Sequence, residues 1–448
     1  MDFQSFKQAV IAAAREKGIE EYELYYQSAE STSVSAFQHE LNQFTGSIEG
    51  GVCLRCIVGG KMGYASTEDL RPEGAAALLD RAADNARTLE ADEPVFLNEG
   101  GKTYSQLNLQ PYSLPDTDGL IRTVLDTQEK LYGADARVID GCSTQGISEK
   151  SRIAIYNSKG LDLQYENSLS GLVVAAVVKD GEEMANDYQI KLGDLQQLDT
   201  EALTKKAAKE ALQKLGGEPA PTGQYPVVFG SEAVCDLLAT FSGVFSSEAA
   251  QKGLSKLAGQ EGETIAASCV TLVDDPFHPE NPMPIHFDAE GSPTSRKNVI
   301  EGGVLKTLLY NLKTANQAGR ETTGNASKAG YDSPVAVRPF TMYLAGGSCT
   351  EAQLLEQAGE GVYIDSLGGL HAGANAITGD FSLQSSGYLI RGGQKTDRVK
   401  SFTVAGNFYQ LLKDIAAVSD RVELPQALGM TAFGAPAVLV NGLSVAGK

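Results

Sequence analysis

Residues 231–275, SEAVCDLLATFSGVFSSEAAQKGLSKLAGQEGETIAASCVTLVDD, decide how the C-terminal half of this chain folds. Val234, Leu237, Leu238, Phe241, Val244 and Phe245 recur at offsets of three and four. That period puts hydrocarbon along one side of a helix, so residues 231–246 are expected to form an amphipathic helix facing a core. Ser231 stands where an N-cap belongs, and Glu232 in the first turn complements the helix dipole. A loop punctuated by Gly253, Gly259 and Gly262 follows, then a strand over SCVTLV and the pair Asp274–Asp275.

Outward from this stretch, strands and glycines dominate from 226 to the end, with further helices expected only at 311–318, 350–358 and 407–416. The triplets EGG (301–303) and RGG (391–393) sit between apolar alternations as hairpin turns do. Many short strands with frequent turns predict a curved or barrel-like sheet over 221–448. Upstream, GGEPAPTGQYP (216–226) has linker composition and marks a boundary near 220. A central unit over 111–220 is expected from a helix at 117–133, an antiparallel meander turning at Asn157–Gly160, and a helix at 199–215 capped by Asp199 or Thr200. The N-terminal unit, 1–110, reads as αββββα. Helix 2–17 leads into the strands EYELYYQSAE and STSVSAFQ, then two strands turning at Gly50–Gly51 and Gly59–Gly60, then helix 68–90. The class is therefore α+β: an N-terminal α/β sandwich-like region with antiparallel sheets, followed by a β-rich C-terminal domain.

Length and composition narrow the function. A chain of 448 residues exceeds one ordinary core and suggests two or three domains. A formal charge of −20 argues against a nucleic-acid surface, which needs a dense positive footprint. The lysine cluster KKAAKEALQK (205–214) reads as the solvated face of a helix. The start, MDFQSFKQAVIAAAREKG, lacks the basic region and cleavage site of a signal peptide. The longest apolar run, LVVAAVV (172–178), is too short to span a membrane. A cytoplasmic protein is expected. Six cysteines in a chain this long do not make a disulfide framework. Cys53 and Cys56 lie three apart on a strand, hence on opposite faces, and read as reduced structural thiols.

Helix 231–246, the GLSKLAGQEGE loop and the VTLVDDP strand resemble the C-terminal region of the TldD/PmbA family. So do NVIEGGVLKTLLYNLKTA, TTGNAS, ITGDFSLQSSGYLIRGGQ, VAGNFYQLLKDI and the final VLVNGLSVAGK. The resemblance covers most of the chain and is strongest from 226 to 448. It implies a metallopeptidase-related protein of a family whose members are often labelled modulators of DNA gyrase. In the TldD branch this helix carries HExxxH, with two histidines on zinc and a glutamate activating water. On that pattern the histidine positions here are Leu238 and Gly243, and the glutamate position is Ala239. None of these can ligate zinc or activate water, and no cysteine follows Cys349 to supply a C-terminal ligand. The resemblance is thus to the PmbA/TldE branch, which lacks the zinc motif. It implies a non-catalytic subunit with no cofactor of its own. Such a chain would pair with a TldD-like zinc-bearing subunit, or with a second copy of itself, to form a cavity for unfolded peptides.

Other chemistry is weaker. His39–Glu40 begins like a zincin motif but Gln43 and Phe44 follow, so it reads as a solvated pair. His278 and His286 lie in a proline-rich acidic loop with no fixed spacing for metal. His371 is a loop residue without a nameable partner. Cys349 precedes a helix, which favours a thiolate, but no base accompanies it. The sequence contains neither a phosphate loop nor a dinucleotide fingerprint. Extended peptides bind sheet edges through main-chain hydrogen bonds, and ITGDFSLQSSGYLI (377–390) is the candidate groove wall. Gly379 permits close approach, with Asp380, Phe381 and Ser382 beside it. An autonomous hydrolase with an unrecognised active site and a homodimeric peptide-binding regulator remain the alternative readings.

Overall fold

The computed structural model describes residues 3–90, 94–105, 112–281, 283–426, 429 and 431–447. Its N-terminal half is built on a few very long strands. These are β1 (Glu21–Phe37), β2 (Glu40–Val58), β3 (Lys61–Thr67), β4 (Ser143–Asn157), β5 (Asp162–Asp180) and β6 (Glu183–Leu192). They form one six-stranded antiparallel sheet in the order β3-β2-β1-β4-β5-β6. The units expected over 1–110 and 111–220 therefore share a sheet, joined where β1 pairs β4 from Glu23↔Asn157 to Phe37↔Ser143. The expected division at 110 falls outside the described residues.

Strand count and one turn differ from expectation. EYELYYQSAE and STSVSAFQ are a single strand, β1, because both of its edges are hydrogen-bonded, to β2 and to β4. Its polar middle needs no turn, since residues 27–33 stay partly or fully exposed on both faces. The turn expected at Gly50–Gly51 lies inside β2; the chain reverses instead at Gln38–His39, where both residues have positive φ (50° and 66°). A Cβ on Gly51 would come 2.5 Å from the Tyr331 ring, so this glycine serves a close approach. Gly59–Gly60 does form the expected β2–β3 turn.

Helices α1 (Phe3–Lys17), α2 (Ala75–Thr88), α3 (Thr117–Tyr132) and α4 (Thr200–Gln213) cover one face of the sheet. Helix α1 buries Phe3, Phe6, Val10, Ala13 and Ala14 against Leu24, Leu54 and Leu78. Asp116 caps α3 and Asp199 caps α4, each accepting from a backbone N–H three residues on. Cys56 is buried on this helical side, whereas Cys53 is buried on the other with Tyr25 and Phe287. Burial raises both thiols, Cys56 to about 11, so both stay protonated.

The C-terminal half opens with β7 (Gly223–Phe229) and α5 (Ser231–Phe241). A small sheet of β8 (Leu272–Asp274), β9 (Lys297–Glu301) and β10 (Thr341–Leu344) follows, along with α6 (Leu312–Gln317) and α7 (Glu351–Ala358). The chain ends with β11 (Gly361–Gly368), β12 (Asp380–Arg391), β13 (Gln394–Asn407), α8 (Phe408–Asp414) and β14 (Val438–Ala446). Strands β14, β7, β11, β12 and β13 pair in sequence, and β13 returns to β14 through Thr403↔Ala446. The ring is closed, which removes free sheet edges. The curved sheet expected over this region is thus a five-stranded barrel.

Candidate functional site

Helix α5 leaves β7 at Gly230, and it is Gly230 that occupies the N-cap position, without a side-chain cap. Ser231 lies one residue inside, and its hydroxyl donates to the carbonyl of Ala435 instead of capping. The reason is packing: a Cβ on Gly230 would meet the Tyr363 hydroxyl at 2.5 Å, so the strand-to-helix corner needs glycine there. The helix ends at Phe241 and continues as a 3₁₀ turn, Ser242–Phe245. Leu237, Leu238 and Phe241 are buried in the main C-terminal core. Ala239 is exposed, and no atom comes within 4 Å of a Cβ placed on Gly243. Of the three family positions, one faces hydrocarbon and two face open space.

The candidate wall lies at the C-terminal end of α5. Phe381 is buried, its ring 6.2 Å from that of Phe241. Gly379 has φ 83°, and a Cβ there would lie 2.5 Å from the Tyr409 ring. Asp380 is exposed and accepts from Asn407 Nδ2 at 2.8 Å, a bond that holds its carboxyl below the usual range. Ser382 is exposed. Lys256 donates to the Thr378 carbonyl at 2.7 Å and lies over the Tyr409 ring, tying this segment to the loop after α5.

Apart from His371, the other singled-out residues have structural partners. Asp274 accepts from the backbone of Phe340 and Thr341 and from Asn325, with Lys297 Nζ at 3.2 Å. His39 holds the β1–β2 turn against α3, stacking on Tyr132 at 4.1 Å with Nδ1 2.7 Å from Glu129. His278 packs edge-on to Tyr343, and His286 Nδ1 lies 2.7 Å from the Ser105 carbonyl. His371 is exposed on the short turn Leu370–Gly373. Cys349 donates to the Val418 carbonyl.

Two features were not legible in the sequence. The first is a cavity of about 270 Å³ between the helix-free face of the large sheet and the C-terminal half. Beside it, Arg55 of β2 joins Glu23 of β1 (2.7 Å) to Glu290 (3.5 Å), all three buried. Burial pushes the Glu23 carboxyl up, against the pull of Arg55 and of Asn157, which donates to it. The proline-rich loop, whose histidines showed no fixed spacing for metal, supplies part of this cavity's wall through Glu280, Asn281, Met283, Pro284, Ile285 and Phe287. Its apolar residues, Ile285 and Phe287, were the available signal.

The second is an acidic seam where α5 meets β6. Lys214 pairs with Asp187 at 2.5 Å, while Glu232 and Asp236 crowd the same region. Burial first, then repulsion from Asp187, raises Glu232 to about 7 against the pull of Lys214. Burial raises Asp236 to about 6, again opposed by Lys214. Both carboxyls therefore hold protons in the folded chain at a pH where the unfolded chain, near 4, has released them. Their contribution to stability is present at low pH and lost as pH rises from about 4 to about 7. Urea unfolding of Glu232→Gln/Asp236→Asn should show stability relative to wild type that increases across that window. A constant difference would mean these groups titrate alike in both states.

The family model for the PmbA/TldA metallopeptidase C-terminal domain matches residues 222–447. Models for domain 1 and the central domain match 22–86 and 111–215. The chain belongs to the PmbA/TldD family. A solved structure from Thermotoga maritima, of a proposed modulator of a DNA gyrase, superposes with a TM-score of 0.88 at 31% identity over 99% of this chain and 100% of that one. TldE from Thermococcus kodakarensis superposes with a TM-score of 0.85 at 24% identity over 99% and 100%, a likeness of fold. The metalloprotease PmbA of Escherichia coli is 24% identical over 87% of this chain and 85% of its own. The family also includes a metalloprotease TldD homologue from Haemophilus influenzae, 26% identical over 58% of this chain and 55% of its own.

Metalloprotease names imply a metal, and the donors present can be tested against it. Leu238, Ala239 and Gly243 offer no nitrogen, sulfur or carboxylate ligand. Among the described residues no three His, Cys, Asp or Glu side chains are grouped to hold a metal ion. The family helix of this chain does not fit zinc. Among the described residues no helix is long and apolar enough to cross a membrane.

Proposed function

We propose that this chain is a non-catalytic, TldE-type subunit of a cytoplasmic TldD/TldE peptidase, shaping the cavity that receives unfolded peptides. One observation carries the reading: on α5 and the 3₁₀ turn that continues it, the positions matching the family's metal ligands hold a core leucine and a bare glycine. A polypeptide without a Lewis acid or a base there cannot activate water by the family's chemistry. The surfaces of Ala239 and Gly243 and the outward side chains of Asp380 and Ser382 then act as walls of that cavity. The resemblance supports a zinc-bearing TldD-like chain as partner, with a second copy of this chain as the alternative.

The test is co-expression with the TldD-like protein of the same organism. Co-purification of the two chains, with turnover of an unstructured peptide by the pair and by neither chain alone, is expected. Chelation should abolish that turnover. Failure to associate, or turnover by this chain alone, would overturn the proposal.

A further inference from the structure

The cavity between the large sheet and the C-terminal half is remote in sequence from α5 and from the 379–382 segment, and its chemistry is its own. We propose that it binds a primary ammonium group carried on an apolar stem. The sheet presents Gln27 and Tyr165 to the same face, both registered on Ile153 of the strand between them. Gln27 Oε1 is shut off from solvent yet has no hydrogen-bond partner among the described residues. Glu149 stands further along the same wall and Glu280 at its rim. Neither carboxylate has an ion-pair or side-chain hydrogen-bond partner among the described residues. Lys328 is the single lysine or arginine of the lining. Its ammonium is already engaged, donating to the Ser333 carbonyl at 2.5 Å and lying 5.2 Å from the centre of the Tyr25 ring.

Among the charged and solvent-shielded groups of the lining, what is left unpaired is therefore a set of acceptors: an orphan amide oxygen and two carboxylates. An ammonium has three donors and no acceptor, and so complements that set. The aromatic rings of the wall attract a cation and pack its stem. A carboxylate ligand would instead meet two like charges. At about 270 Å³ the space suits a body between a small alkylamine and a dipeptide.

Titration calorimetry on the full chain, purified alone, tests this with leucyl-leucinamide, its N-acetyl derivative and n-pentylamine. One leucyl-leucinamide per chain is expected, with acetylation weakening binding about tenfold or more. Glu149→Gln and Gln27→Leu should each weaken it about fivefold or more, with unchanged circular dichroism and Tm. Pentylamine binding as well as the dipeptide would point to free amines as the ligand; binding of the dipeptide alone would point to a peptide's amino terminus. Absence of saturable binding by either amine, equal binding of the acetylated peptide, or indifference to both substitutions would overturn the assignment. No second subunit enters this measurement, so its outcome is independent of the peptidase reading.

Discussion

Arg55→Ala is expected to lower the stability of the chain by about 3–5 kcal/mol, the usual cost of breaking a buried ion pair from one side. Arg55 and Glu23 face each other across the β1–β2 ladder, and both are almost wholly buried. Glu290 reaches the same guanidinium from the C-terminal half, while its other oxygen accepts from the Leu312 backbone at 2.8 Å. Asn98 donates to the Glu290 carbonyl at 2.9 Å, so the acid is held in place when the cation goes. Alanine would leave two carboxylates facing each other without water or countercharge. The Glu23 carboxyl, already pushed up by burial, would then titrate higher still in the folded state. The penalty should therefore be largest at neutral pH and shrink as pH falls through the carboxylate range. Arg55→Lys keeps the charge but not the fork that spans two acids, and should fall between. Urea unfolding at pH 7 and pH 5 measures all three chains; a loss below about 1 kcal/mol for the alanine variant would show that the network contributes little.

Phe241→Ala should cost about as much, 3–5 kcal/mol, for a different reason. The Phe241 ring stacks on Phe408 at 4.6 Å with an 11° interplanar angle and tilts against Phe381 at 6.2 Å. All three rings are buried. The trio fastens the end of α5 to β12 and to α8, and a void at its centre has no flexible neighbour to fill it. Ala239→Ser, two residues earlier on the exposed side of the same helix, should change stability by no more than about 0.5 kcal/mol. Thermal or urea unfolding of the pair gives the contrast. Equal effects would mean that α5 is not held by its apolar face.

The same helix shows how far sequence reasoning reaches. Its apolar offsets identified the buried face correctly, because a 3.6-residue period is a local property. They did not reveal that the cap is Gly230, since that depends on Tyr363 of β11 standing within 2.5 Å of a Cβ there. Strand reading behaved alike. The alternation along EYELYY marked a two-faced strand, and Cys53 and Cys56 do face opposite sides. The polar run QSAESTS looked like a break but is bonded on both edges to strands that the sequence cannot pair with it. The glycines misled at 50–51 because glycine also serves close approach, here to Tyr331, whose position 280 residues on carries no local signal.

By itself the sequence determined the α+β class, the helix faces, the cap at Asp199, and the lack of metal donors at Leu238 and Gly243. All of these depend on side-chain chemistry and short-range spacing. Tertiary structure alone decided that the first two units share one sheet, that the last strands close a barrel, and that Arg55, Glu23 and Glu290 meet beside a cavity. Those features require strands far apart in the chain to find each other. Hydrophobic periodicity states which face is buried, and leaves open which partner buries it.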